Sequence, residues 1–253
     1  MYFLYLLKLI SNILLISLPA ISYAGSEINI LNKIKSGSVT IIGETHKHPE
    51  SLMFFQSLIS DHLKLNKCLT IGLEIASNQQ TIIEKIKQGR AVVSDIEIPP
   101  MIDHPAFRKM INELIKLQIN NECLKIIAID AGDDIDLRRD EWMAINLANQ
   151  IGAAPVLVLL GNLHSLKRVD WDLSMSKGSP FVAEILSSQG YNIKTYPQIW
   201  TDETCDDQKR FIKTDREESL YLLNNNYISI LNAFEYKTAI GVIDGVILWE
   251  CVT

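Results

Sequence analysis

The sequence predicts an α/β protein, a three-layer α/β/α sandwich with a mainly parallel central sheet. Short apolar runs alternate with amphipathic stretches through most of the 253 residues, which is the order of strands and helices in parallel sheets. Residues 154–161, APVLVLLG, are too apolar for a sheet with one wet face, so helices are expected on both faces. The length suits one large domain with a full core.

The first half of the chain supplies two strand and helix units. The buried strand at 38–43 precedes a helix at 49–65, and Pro49 suits the first turn of that helix. The apolar strand at 68–76 leads into a helix at 78–89, which ends at a glycine. Both strands are therefore followed by the covering helices that a parallel sheet needs.

The second half continues the alternation. An amphipathic helix at 105–121 comes before a third strand at 124–130, and a further helix is expected at 136–152. The fourth strand, already quoted, is followed by a helix and a strand within 180–199. Residues 239–252 have closing strand character, whereas the pattern from 200 to 237 is weak.

Residues 1–24 are predicted to be a secretory signal peptide, and residues 25–253 to be the single mature domain. The segment is apolar, carries the early cation Lys8, and has small residues before the cleavage point after Ala24. An uncleaved membrane anchor is the alternative, and polar and proline residues within the run argue against it. We expect a periplasmic or secreted protein without a stable membrane anchor after cleavage.

The charge pattern gives no indication of a nucleic-acid partner. The formal net charge is −6, and lysine and arginine form no cluster along the chain. Proteins that bind nucleic acids need such a cluster to neutralise phosphates. The expected partners are a small-molecule or peptide substrate, or haem, with a homo-oligomer as a further expectation.

Export makes the four cysteines candidates for disulfides. Three full pairings are open from the sequence, and free buried thiols are the alternative. Cys68 and Cys123 each precede an apolar run, so these two could lie at the same sheet edge, which would leave Cys205 with Cys251.

Polar side chains follow the carboxyl ends of four predicted strands, where parallel sheets bind their ligands. In chain order they are Glu44, His46, Glu74, Asp130, Asn162 and His164. Two histidines with two or three carboxylates make either a divalent-metal site or an acid–base site.

Several of these residues have an alternative structural interpretation. Glu74 lies inside an apolar run and needs a cation, a metal or a proton if it is buried. Asp130 precedes Ala-Gly and could cap a turn. Arg138 and Arg139 open a helix, where a cation is disfavoured unless it meets an anion, a buried carboxylate or a surface partner. The remaining histidines are interpreted as capping or solvent-facing residues: His48, His62 and His104.

Two G-x-x-H motifs carry a resemblance to a known superfamily. They are GETH at 43–46 and GNLH at 161–164, with Glu74 between them and RRDEWMA at 138–144. This pattern resembles the superfamily that joins the ChaN haem-binding proteins, the TraB/PrgY proteins, the Tiki metalloproteases and the erythromycin esterases. Residues 43–86 are most similar to the ChaN branch, although Lys-His stands where that branch has Asp-Asn.

The resemblance implies an α/β/α sandwich and three different activities. The Tiki and TraB branch implies metal-dependent peptide cleavage, with His46, His164 and Glu44 or Glu74 holding Zn, Mn or Co. The esterase branch implies that His46 activates water, aided by Glu44 and Glu74. The ChaN branch implies haem binding, commonly with oligomerisation.

The leading hypothesis is an exported hydrolase of an ester or amide bond. In its metal version, an ion held by Glu44, His46, Glu74 and His164 activates water. In its metal-free version, His46 is the general base and Glu74 stabilises the imidazolium. In both versions, Arg139 binds the developing anion or a substrate carboxylate.

The alternative is a haem-binding protein in iron uptake that has no catalytic activity. An exposed side chain would then supply the axial ligand, and the candidates by residue type are His48, Met101 and His104. A third hypothesis is a member of the superfamily that keeps the fold without chemistry.

Overall fold

The central sheet of the computed structural model has five parallel strands in the order β3-β2-β4-β1-β5. The structure describes residues 30–65, 67–172, 174, 178–202 and 208–251. The strands are β1 Ser38–Glu44, β2 Leu69–Ala76, β3 Leu124–Asp130, β4 Val156–Gly161 and β5 Asn192–Tyr196. Every residue of β1 and β4 is buried, because helices cover both faces.

Helices lie on both faces of this sheet and form two separate cores. One face carries α1 Pro49–Lys64, α2 Gln80–Lys87 and α3 Pro105–Ile119, and the other carries α4 Arg139–Ala148 and α5 Val182–Ser188. On the first face, Ile71 belongs to the same apolar cluster as Phe55 and Leu114. On the second, Val158 packs in a cluster with Leu147 and Leu186. The predicted three-layer α/β/α fold is therefore confirmed.

A second, smaller sheet combines one strand from the region of weak sequence pattern with strands that lie before and after that region. Its strands are β6 Gln198–Trp200, β7 Gln208–Ile212 and β8 Val246–Glu250. The order is β6-β8-β7, in which β8 runs parallel to β6 and antiparallel to β7. A sixth helix, α6 Glu217–Asn226, packs with this sheet in a third apolar core.

Two predicted elements differ from the structure in ways that affect the site. The helix predicted at 136–152 begins at Arg139, so Arg139 and Asp140 form its first turn. The closing strand predicted at 239–252 contains only Val246–Glu250 as regular strand, and it belongs to the second sheet.

A disulfide joins Cys68 and Cys123 at the amino ends of β2 and β3. The predicted partner pair of Cys205 and Cys251 lies outside the described residues because Cys205 is not among them. The predicted signal peptide, residues 1–24, also lies outside them. Among the residues that are described, no helix has the length and apolar character to cross a membrane.

Candidate active site

A crevice opens at the carboxyl ends of the central strands and has a volume of about 660 Å³. All five side chains predicted to be catalytic line it, and Asp130 does too. The polar lining consists of Glu44, Thr45, His46, Glu74, Asp130, Arg139, Asn162, His164 and Asn226. An apolar wall is formed by Pro99, Met101, Ile102, Leu163 and Ile230.

The His46 ring is held by the carboxylate of Glu44. His46 Nδ1 lies 2.9 Å from Glu44 Oε1, and only 5% of Glu44 is exposed. A carboxylate can only accept, so the proton is on Nδ1 and the Nε2 of neutral His46 carries a lone pair. The hydrogen bond from Glu44 raises the pKa of His46 against the opposing effect of burial, and the charges of Glu44 and Glu74 also raise it.

His164 is oriented in the same way by Asp140. It lies in the short helical turn Asn162–Ser165 after β4, and its Nδ1 is 2.5 Å from Asp140 Oδ1. The same oxygen accepts from the backbone N–H of Val182 at 2.9 Å, which fixes the carboxylate. Asp140 was missed in the sequence, because an acidic residue in a first helical turn is ordinarily explained by the helix dipole.

Arg139 lies between the carboxylates of β2 and β3. Its Nη2 contacts Glu74 Oε1 and lies 2.7 Å from Asp130 Oδ2, and its Nε lies 2.8 Å from Asp130 Oδ1. Burial opposes the charged form, but the hydrogen bonds and charges of Asp130 and Glu74 outweigh it and raise the pKa of Arg139. Glu74 therefore has the cation that its buried position requires.

The remaining guanidinium nitrogen of Arg139 meets the second histidine. Arg139 Nη1 lies 3.4 Å from His164 Nε2. Arginine can only donate, so His164 accepts at Nε2 and donates at Nδ1, which is the neutral tautomer. Of the two rings, His46 is thus the one whose Nε2 is not engaged by Arg139.

The two carboxylates of the predicted metal site of Glu44, His46, Glu74 and His164 have other partners in this structure. Among the residues that the structure describes, no three His, Cys, Asp or Glu side chains are placed to hold an ion. Arg139 already neutralises Glu74, whose other oxygen accepts from the N–H of Gly161 at 2.8 Å. Glu44 is turned to His46 Nδ1. The assignment of Glu44, His46, Glu74 and His164 as metal ligands therefore stays a prediction.

The surroundings of the glycine in each G-x-x-H motif show what a side chain at that position would contact. A Cβ on Gly43 would overlap Asn162 Oδ1, which accepts from the N–H of Gln198 at 3.0 Å. A Cβ on Gly161 would lie 3.5 Å from His46 Nε2 and 3.6 Å from His164 Cδ2. Gly161 therefore leaves room for about one methyl group next to the two imidazole rings.

None of the other described histidines lines the crevice. His62 is buried at the far end of α1, where its Nε2 lies 3.3 Å from Cys68 O and burial lowers its pKa. His104 precedes α3 without a side-chain capping bond, and burial lowers its pKa. His48 likewise makes no capping bond to α1, and its ring lines a neighbouring pocket. Met101, the other haem-ligand candidate, lies at the mouth of the crevice and is 70% exposed.

Comparison with solved structures finds proteins of similar fold at low sequence identity. A protein from Bacillus cereus is 9% identical with a TM-score of 0.60, over 88% of this chain and 91% of that chain. ChaN of Campylobacter jejuni, described with cofacial haem binding, is 15% identical with a TM-score of 0.48, over 70% and 86%. The type III effector HopBA1 is 10% identical with a TM-score of 0.47, over 90% and 95%.

These likenesses concern the fold. No protein-family model and no curated protein matches the sequence. The likeness to the Bacillus cereus protein shows a shared fold.

Proposed function

We propose that the protein hydrolyses an ester or amide bond with His46 as the general base and without a metal ion. The observation that carries the proposal is the orientation of His46. Glu44 holds Nδ1, whereas Nε2 lies 3.5 Å from where a Cβ on Gly161 would lie, and His46 lines the crevice.

The first step is the attack of water on the substrate carbonyl carbon. His46 Nε2 takes one proton from the water as the new C–O bond forms, and Glu44 stabilises the imidazolium that results. The carbonyl oxygen becomes an oxyanion. When the tetrahedral intermediate collapses, the bond to the leaving oxygen or nitrogen breaks, and the imidazolium returns the proton to that atom.

Arg139 is the group that stabilises the oxyanion. Its Nε and Nη2 are used by Asp130 and Glu74, which leaves Nη1 facing the crevice. His164 accepts from Nη1 and Asp140 fixes the His164 tautomer, so both are positioning residues for Arg139. A guanidinium held in advance stabilises developing charge without reorganising during the reaction.

Hydrolysis of p-nitrophenyl butyrate tests this proposal. His46→Ala is expected to lower kcat by about 100-fold or more, the usual contribution of a general base. Arg139→Ala is expected to lose activity as well, and Arg138→Ala is its matched control because Arg138 is exposed and forms a surface ion pair with Glu141. Equal rates for the wild type and His46→Ala would contradict the proposal.

Chelation separates the metal-free reaction from the metal version. Because Arg139 fills the place of the cation beside Glu74, we expect activity to survive dialysis against a chelator. Loss of activity on chelation, with recovery on adding Zn, Mn or Co, would restore the metal version.

Haem binding stays the alternative prediction. Titration with haemin tests it, since ligation at an axial position shifts the Soret band. Met101 is the candidate ligand that lines the crevice, so Met101→Ala is the variant in which such a shift would be lost. Export to the periplasm or the medium also stays a prediction, supported by the Cys68–Cys123 disulfide, which is a bond of oxidising compartments.

A further inference from the structure

A second pocket, here called the side pocket, adjoins the crevice and has a volume of about 200 Å³. It is lined by His48, Gln198, Ile199 and Trp200 together with three residues that also line the crevice. The shared residues are Thr45, Asn226 and Tyr227. A substrate whose reacting bond lies beside His46 can therefore reach the side pocket along Thr45.

His48 is held in the side pocket by a buried carboxylate. Its Nδ1 lies 2.8 Å from Glu50 Oε1, and Glu50 is 7% exposed. The same oxygen accepts from Trp200 Nε1 at 3.0 Å, and the His48 ring stacks on Trp200 with centroids 4.2 Å apart. Trp200 in turn stacks on Trp249. His48 is thus fixed as firmly as His46 and His164, with Nε2 as its remaining nitrogen.

Several of the side chains that line the side pocket offer uncharged hydrogen-bonding groups. Thr45 Oγ1 accepts from Asn162 Nδ2, which leaves its O–H as a donor. Asn226 uses its Nδ2 on the carbonyl of Leu222, which leaves its Oδ1 as an acceptor. No lysine or arginine is among the described residues that line this pocket. The crevice, in contrast, has an apolar wall that includes Met101 and Ile230.

We propose that the side pocket binds the alcohol part of the substrate, and that this part is an uncharged group with several hydroxyls, such as a polyol. The inference rests on the proposed hydrolysis, because it places the two sides of the cleaved bond in two differently lined cavities. His48 Nε2, the Thr45 hydroxyl and the Asn226 amide oxygen are the groups that pair with the hydroxyls. His48 is then a residue that determines specificity.

Two esters with the same acyl group test the proposal: ethyl butyrate and glyceryl monobutyrate. The wild type is expected to have the higher kcat/KM for the glyceryl ester. His48→Phe keeps the stack on Trp200 and removes the ring nitrogens. We expect it to raise KM for glyceryl monobutyrate by about fivefold, the effect of one neutral hydrogen bond, with kcat and the ethyl ester little changed.

Two further variants serve as controls. Met101→Ala alters the crevice wall and is expected to affect both esters equally. His48→Gln restores a hydrogen-bonding side chain and is expected to recover part of the preference. An equal change for both esters in His48→Phe, or no preference in the wild type, would overturn the proposal while leaving the hydrolase intact.

Binding separates the side pocket from the chemistry. In His46→Ala, glyceryl monobutyrate is expected to bind without turnover and to change the tryptophan fluorescence, and adding Trp200→Phe is expected to remove most of that change. If the wild type hydrolyses neither ester but this binding signal is present, the proposed reaction is wrong, whereas the proposed binding of a polyol in the side pocket is supported. Absence of the signal together with normal hydrolysis would refute the side pocket alone.

Discussion

His46 and His48 are separated by one residue, yet they line two different cavities. Lys47 between them has a φ of 72°, and among the described residues it is the non-glycine residue with a positive φ. This left-handed conformation is uncommon for a lysine and turns the chain sharply. The sequence showed two similar histidines. His48 directly precedes α1 as expected, but its side chain binds Glu50 and does not cap the helix.

The pH dependence of hydrolysis is expected to follow His46. Glu44 raises the pKa of His46, and the base works only when it is neutral, so kcat/KM should rise as pH increases through that raised pKa. Glu44→Gln removes the cause and is expected to move the midpoint of the profile to lower pH. A pH profile with an unchanged midpoint in Glu44→Gln would contradict the assignment.

The free energy of unfolding is expected to change with pH in the opposite direction to the activity. A pKa that is higher in the folded state stabilises the protein fully below the unfolded value and ceases to do so as pH rises through the folded value. The contribution of the His46–Glu44 pair is therefore lost in the same pH range in which His46 becomes an active base.

Gly161→Ala is expected to abolish the space for water without unfolding the protein. The new methyl group would lie 3.4 to 3.6 Å from both imidazole rings, which is ordinary van der Waals contact. We expect kcat to fall at least about tenfold, with a change in the free energy of unfolding no larger than about 1 kcal/mol. Urea denaturation and ester hydrolysis on the same preparation measure both, and full activity would place the attacking water elsewhere.

For single residues, the sequence indicated which side chains line the crevice better than it indicated which side chains they contact. The apolar surroundings of Glu74 indicated that it needs a cation, and Arg139 provides it. The sequence left open whether that cation is a metal, because nothing in a one-dimensional pattern places the guanidinium between β2 and β3. Asp140 was overlooked for a similar reason, since its contact with His164 joins α4 to the end of β4.

At the scale of elements, the start of α4 organises the crevice. Its first residue, Arg139, lies where the helix dipole disfavours a cation, and the carboxylates of Glu74 and Asp130 outweigh that cost. Its second residue, Asp140, suits the dipole and orients His164. One helix turn thus connects β2, β3 and β4.

Removing Arg139 is expected to lower the stability of the folded protein in addition to slowing the reaction. Glu74 and Asp130 are 4% and 3% exposed, so Arg139→Ala leaves two buried carboxylates without a cation. Arg139 itself is 45% exposed, so we expect the low end of the cost for a broken buried ion pair, about 3 kcal/mol. Arg138→Ala is the control, with little expected change in urea denaturation. A loss below about 1 kcal/mol would mean that water replaces the guanidinium.

At the scale of the whole molecule, the disulfide and the crevice lie at opposite ends of the central sheet. Cys68 and Cys123 are 55 residues apart in the sequence, and their bond constrains the unfolded chain. Replacing both with serine is expected to lower the free energy of unfolding by about 2–4 kcal/mol. Hydrolysis well below the unfolding temperature should not change, because the crevice is built at the carboxyl ends. A lower kcat in a fully folded double variant would contradict this separation.

The overall architecture was predictable because burial on both sides leaves a strong signal in the sequence. Strand β4 is apolar throughout, and α3 shows a clear amphipathic pattern. The second sheet was predictable only in part, because closing strand character was expected at 239–252, which contains β8, whereas no strand was expected at β7. Strand β6 has only three residues, which is too short to show an alternation of apolar and polar side chains. Strand β7 has five residues and is mostly polar, so it shows no such alternation either.

The strand order has a consequence for how the protein is made. Strand β1 is the first strand of the central sheet to leave the ribosome, but its neighbours in the sheet are β4 and β5. When only β2 and β3 have been made after it, neither of the strands that pair with β1 is present yet. Its apolar side chains then stay exposed to water until β4 and β5 have been made. Pairing between strands so far apart in the sequence is slow, and the exposed chain is prone to aggregate in the meantime. Glu44 and His46 are translated early, yet they acquire their surroundings only when β4 is inserted between β1 and β2.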